Sequence, residues 1–395
     1  MLNHRQVATL AATTALAPIA LDMYLPASVE MAASLGISTA ATASTVSVFL
    51  FGISAGQLVT GPLSDRIGRR PVLLFGLILF SLASFVASIV SSIEIMLVAR
   101  LLQALGACAA LSSSRALVSD KLDPTRAAKL FSQMALIGGL APVLAPLTGA
   151  WLVTHGGWRL NFTVMAVLGL AMLVASYFLL PESRSGDTAE NARRETPFKA
   201  YKELLKNPAF RLYLAAGATN SAGFFAYIGN SPSIFQELYG LAPSTYSMLF
   251  ALNSAALVTA SQINRRLLSR YSALQVLRMS GRNAVLLAIG FLLFGLTGLG
   301  GLTSLVILLF FLVGSISPVQ ANTMAGGMGV DRLRAGSAAA LFGATSFAVG
   351  AFASWASSLL YDKTTGPFCL LIAAFLLCAA MFIFRLQRVS ASAPK

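Results

Sequence analysis

Runs of about 18–24 residues almost free of charge recur along the whole chain, each long enough to cross the ~30 Å hydrocarbon core of a bilayer as a helix. No other feature constrains the fold so tightly. Of 395 residues, 56% are hydrophobic and only 11% charged, too little charge to cover the surface of a soluble domain this size. The apolar spans fall at about 7–28, 42–63, 71–90, 93–118, 130–153, 158–180, 210–230, 244–266, 280–299, 302–326, 336–360 and 367–385. The chain is therefore read as an all-α polytopic membrane protein with twelve transmembrane helices.

A net charge of +14 raises the question of nucleic acid, and the positions of the charges answer it. Threading the spans in and out puts Arg66, Arg69, Arg70, Lys121, Arg126 and Lys129 on one side. Arg184, Arg193, Arg194, Lys199, Lys202 and Lys206 share that side, as do Arg265, Arg266, Arg270, Arg332, Arg334, Arg385 and Arg388. The other side keeps only Arg159 and Lys363, with Glu30, Glu94, Glu237 and Asp362. Cations concentrated on one face are the cytoplasmic signature of a membrane protein, so both termini are expected to be cytoplasmic and no nucleic-acid partner is needed. Cys108, Cys369 and Cys378 lie within spans and read as apolar packing. His4 and His155 lie outside them and form no metal site or proton relay. Residues 1–6 are too short and polar for a cleavable signal, so span one reads as a retained helix.

One connection is long and polar, residues 181–207. It divides the chain into an N-terminal six-helix bundle, 1–180, and a C-terminal one, 208–395. Within it "PFKAYKELLKN" reads either as a surface helix with Phe198, Leu204 and Leu205 toward lipid or as a solvated linker. A faint repeat links the halves: "GPLSDRIGRR" after span two matches "RRLLSRYSAL" after span eight, and "MYLPAS" matches "GNSPSI". Two parallel six-helix halves are a known transporter plan.

The loop "GPLSDRIGRRP", residues 61–71, has the most specific spacing. Gly61 and Pro62 are expected to end a helix and Pro71 to sit in the first turn of the next. Between them Asp65 lies among Arg66, Gly68, Arg69 and Arg70, a set suited to a conformational latch. With this loop the chain resembles the major facilitator superfamily. "RLLQALGA" at 100–107 is similar to that superfamily's helix-four motif. "GGLAPVLAPLTGAW" at 138–151 is similar to the helix-five motif of its drug:proton antiporters, with Ala145-Pro146 in place of the usual Gly-Pro. Together with "LDMYLPA" these resemble the bacterial Bcr/CflA branch, and the likeness extends more loosely over the second half. The resemblance implies a two-bundle fold and a proton-coupled exporter of phenicols, bicyclomycin-like compounds or other small drugs. It also implies a monomer in the bacterial inner membrane. Some exporters of the superfamily carry a second acid about two turns before the first; here that place, near Thr14, is neutral.

Asp22 and Arg100 are the clear acid and base within the spans, and their positions set them at similar depth, ~9–10 Å from the outer surface. Pairing would offset much of their desolvation, and a pair that opens lets Asp22 carry a proton. On helix five Gly138, Pro142, Pro146 and Gly149 repeat on one face, allowing close helix approach and bending. The resemblance adds the role of a hinge or seal. Tyr24, Gln57, Gln103, Asn220, Phe224, Tyr227, Asn230 and Asn253 are candidates to line a substrate cavity. Single polar groups of this kind also serve as helix–helix hydrogen bonds. One acid and one base nearly cancel, which suits uncharged or zwitterionic cargo. The alternative is a carrier of a specific metabolite, such as a purine nucleoside or base. The sequence has no phosphate loop for ATP, no clustered catalytic set for an enzyme and no repeated pore ring for a channel. No cofactor or metal is expected.

Overall fold

The computed structural model describes residues 3–183 and 196–392. Arg184, Arg193 and Arg194 of the basic linker lie outside them. Helix α1 (His4–Asp22) gives way to a 3-10 turn (Leu25–Ala27) and α2 (Ser28–Leu35), which ends at Gly36. Then follow α3 (Ala43–Ile67), α4 (Arg69–Ile89), α5 (Ile93–Lys121) and α6 (Pro124–Leu179). Non-helical backbone at Gly156 and Gly157 splits α6 into two spans, the fifth and sixth. A short α7 (Pro197–Lys206) precedes α8 (Pro208–Pro232), α9 (Pro243–Leu268) and α10 (Ala273–Thr297). The last three are α11 (Gly301–Val330), α12 (Ala335–Leu359) and α13 (Gly366–Ser392). Among the described residues this is the twelve-helix arrangement, all α.

Nine stretches of the described residues are long and apolar enough to cross a membrane, one of them, Gly138–Leu179, spanning the reversal in α6. Helices α8 and α9 are not among the nine. Asn220 and Asn230 in the first, and Asn253, Gln262 and Asn264 in the second, lower their hydropathy. Helix starts are set by local chemistry. Asn3 with Gln6, and Ser272 with Gln275, form reciprocal capping boxes, while Asn207 accepts from the amides of Ala209 and Phe210 ahead of Pro208. Each cap contributes about 1 kcal/mol.

Three expectations are corrected. Gly61-Pro62 does not end a helix: α3 runs through Pro62 to Ile67, because a bundle tolerates an internal proline and the turn falls at Gly68. There φ is 117° and the space for a β-carbon is taken by Glu182 Oε2 at 2.6 Å, which requires glycine. The helical segment that carries the first span does not end near Ser28 but continues, through the 3-10 turn, to Leu35. The surface helix α7 forms, but Leu204 is buried with Ala200 and Tyr201, leaving Phe198 and Leu205 exposed.

Internal contacts divide the chain into two compact units, Met1–Ile37 with Val48–Pro197, and Ser38–Ser47 with Phe198–Lys395. In the first, α4 packs on α5 and α1 on α6. In the second, Ala216, Leu277, Val319, Ile383 and Leu386 form a buried cluster joining α8, α10, α11 and α13. Ser354 Oγ on α12 donates to the Ala43 carbonyl at 3.4 Å and Ser358 Oγ to the Ala40 carbonyl, which ties residues 40–43 to this unit.

Candidate functional site: a buried acid and a caged arginine

Asp22 is the last residue of α1, and the chain turns immediately after it. A helix end leaves its last carbonyls without amide partners. Arg100, on α5, reaches one of them: Nη1 donates to the Ala20 carbonyl at 2.9 Å and to Gln103 Oε1 at 2.5 Å. A cation at a helix C-terminus is also favoured by the helix dipole. Asp22 and Arg100 feel each other's charge, but no direct ion pair joins them, and Asp22 Oδ1 has no hydrogen-bond partner. The orphan carbonyl at the break takes the guanidinium, which matched depth alone does not reveal.

Arg100 is wholly buried, and its Nε and Nη2 make no hydrogen bond. Aromatic faces surround it instead. Its guanidinium carbon lies 4.5 Å from the Tyr24 ring centroid, 4.3 Å from Phe49 and 5.8 Å from Phe162. Such contacts are worth about 2 kcal/mol or more when desolvated. The rings come from the turn after α1, from α3 and from the second half of α6. Gln103 is fully buried and occupied, its Nε2 donating to Ser84 Oγ at 2.7 Å. It orients Arg100.

The proline-rich half of α6 meets this site directly. A β-carbon at Gly149 would lie 1.7 Å from the Met23 carbonyl oxygen and 3.3 Å from Asn161 Oδ1. The helix thus rests against the break that follows Asp22. Pro146 and Gly149 are buried and Pro142 half-buried, while a β-carbon at Gly138 would meet nothing within 4 Å. Both side-chain polar atoms of Asn161 are buried and unpartnered, and nothing in the sequence singled this residue out.

The other polar candidates separate by partner. Gln57 is half-buried on α3. In the second unit Asn253 Nδ2 donates to the Tyr227 hydroxyl at 3.0 Å, and the Tyr227 ring stacks on Phe250. Asn230 Nδ2 donates to the Ser357 carbonyl at 3.4 Å. Asn220 is buried with both polar atoms unpartnered, and Phe224 is half-buried one turn further on, against Phe225.

At the basic end of the first unit, Arg69 is the centre of the 61–71 motif. Its Nη1 donates to Ser64 Oγ at 2.8 Å and pairs with Asp65, while Nε pairs with Asp120 at 3.0 Å. Glu182 accepts from the backbone amides of Arg69 and Arg70 at 3.0 and 3.2 Å, placing an anion at the N-terminus of α4. Arg70 Nη2 donates to the Tyr177 carbonyl at 2.6 Å. Arg66 has partners of its own. Asp120 and Glu182 were not named from sequence; their only signal is position, at helix ends on the same side as the motif. Arg115, within α5 and exposed, was also passed over, and it makes no ion pair among the described residues.

The Major Facilitator Superfamily family model matches residues 10–354. A bicyclomycin resistance protein homolog from Haemophilus influenzae is 27% identical, the match covering 91% of this chain and 90% of that protein. A chloramphenicol resistance protein from Pseudomonas aeruginosa is 34% identical over 69% of this chain and 65% of its own length. The fold also matches a solved bacterial homologue of the human lysosomal transporter Spinster, with TM-score 0.77 and 13% identity, over 97% and 96% of the two chains. The chain belongs to the Major Facilitator Superfamily and is a multi-pass membrane transporter, not an enzyme.

Proposed function

We propose that the protein is a proton-coupled exporter of small, uncharged or zwitterionic drugs, of the kind named by the resistance proteins it resembles. The observation that carries this reading is Asp22: a buried carboxylate with an unpartnered oxygen at a helix break, within the field of Arg100 yet not bonded to it. A carboxylate so placed can take up a proton without first breaking an ion pair, and the aromatic cage holds the neighbouring cation in place when it does. Gly149 against Met23 couples the carboxylate's position to the proline-rich helix, so protonation and helix movement can report to each other. Gln57, Asn220, Phe224, Tyr227, Asn230 and Asn253 are the proposed substrate contacts. The 61–71 motif is the proposed latch, and Gly138 to Gly149 the proposed hinge. The protein works as a monomer in the bacterial inner membrane with both termini cytoplasmic.

The reading is tested in liposomes containing the purified protein, with an imposed pH gradient and chloramphenicol or bicyclomycin as cargo. Uphill movement of either drug that collapses with the gradient supports it. Movement of a purine nucleoside instead favours the metabolite carrier, and drug movement indifferent to the gradient removes proton coupling.

A further inference from the structure

Arg278 and Arg282 stand one turn apart on α10, and Arg388 lies near the end of α13. With Phe384 and Gln387 they line a groove of about 380 Å³. The two helices approach closely because residue 281 is glycine: a β-carbon there would sit 3.1 Å from both Ile383 Cγ2 and Phe384 Cε1. Gln387 Nε2 donates to the Leu274 carbonyl at 3.4 Å and joins the two helix ends. Three guanidinium groups line a groove whose described lining holds no carboxylate, two of them, Arg278 and Arg282, without an ion pair among the described residues.

The surface beyond the groove is apolar and continuous with it. At i+4 and i+3 steps from Arg282, Leu286, Ile289, Leu293 and Leu296 are exposed by 68, 47, 59 and 76%. Beside them Leu370, Leu377 and Met381 are exposed on α13, in line with Phe384 and Arg388. Charge at one end and an apolar track a helix long match an amphiphile with an anionic head. Guanidinium groups suit phosphate because they donate to it in pairs, and basic pockets between membrane helices are suited to anionic head groups.

We propose that the α10–α13 groove binds an anionic glycerophospholipid, its phosphate held by Arg278, Arg282 and Arg388 and its acyl chains laid along the exposed stripes. A free phosphate has no use for the stripes. A lipid with a zwitterionic head lacks the net charge the arginines ask for.

The test is lipid titration of the purified full chain in detergent, read by native mass spectrometry, with phosphatidylglycerol, phosphatidylcholine and inorganic phosphate as probes. Phosphatidylglycerol should bind about tenfold tighter than phosphatidylcholine, a head-group preference of about 1.4 kcal/mol. Millimolar inorganic phosphate should not displace it. The triple variant R278Q/R282Q/R388Q should lose that preference, while R265Q/R266Q/R270Q, which removes equal charge from residues that do not line the groove, should keep it. Equal loss in both variants would mean diffuse charge rather than a site, and no preference in the parent protein, or displacement by phosphate alone, would overturn the lipid assignment. Size-exclusion profiles of both variants confirm that they remain folded.

Discussion

The backbone of α6 at Gly149 lies so close to the Met23 carbonyl oxygen that a β-carbon would come within 1.7 Å of it. That contact joins the helix-five motif to the carboxylate one residue away, and neither side can yield without moving the turn at 22–24. Gly149→Ala should therefore lower thermal stability and transport together. Gly138→Ala, on the same face but with open space around it, should leave thermal stability unchanged or raise it by up to about 1 kcal/mol from helix propensity, so that any transport loss there reports on the hinge and not on packing. Unfolding midpoints in detergent and drug efflux from cells decide it; equal behaviour of the two variants would mean the contact carries no load.

Asp22→Asn keeps the shape of the side chain and removes its exchangeable charge. Gradient-driven accumulation in liposomes should fall at least about tenfold, while exchange of labelled for unlabelled substrate without a gradient persists. Full retention of uphill transport would remove Asp22 as the proton carrier.

Arg100→Lys tests the cage. A lysine ammonium has no flat face to set against the rings of Tyr24, Phe49 and Phe162. The variant should lose roughly tenfold in transport although the charge is conserved, matching a loss of about 1.4 kcal/mol. Gln103→Leu should give a milder version of the same defect, because Gln103 anchors Nη1 to Ser84. A fully active Arg100→Lys variant would show that charge alone suffices.

Asp22 and Arg100 were legible in the sequence because a charge within an apolar run has few bland explanations. The helices were legible for the same reason. The cage was not. Its three rings come from three segments far apart in the chain, and with 25 phenylalanines no single one stands out. Direct Asp22–Arg100 pairing was expected from depth, but depth says nothing of the orphan Ala20 carbonyl that the helix break creates. Nor could Asp120 and Glu182 be tied to Arg69 in advance, since the contacts join residues 51 and 113 apart.

The 61–71 motif yields the last prediction, because Arg69 serves two carboxylates at once. Its side chain is 8% exposed, against 17% for Asp120 and 35% for Asp65. The more exposed Asp65 pair is expected to contribute about 0.2–1 kcal/mol after screening by solvent, whereas losing Arg69 strands Asp120 and moves toward the 3–5 kcal/mol of a buried pair. Arg69→Gln should thus destabilise the protein clearly more than Asp65→Asn, and the double variant should cost less than the sum of the two. Thermal unfolding in detergent at low and high salt measures all four corners of that cycle. If Asp65 also serves as a conformational latch, Asp65→Asn should do more than its small stability cost suggests. It should shift the distances between spin labels on the basic ends of α3 and α12 and slow turnover, with substrate affinity retained. An additive cycle together with an unchanged distance distribution would leave Asp65 as a surface charge and place the work of the motif on Arg69 and Asp120.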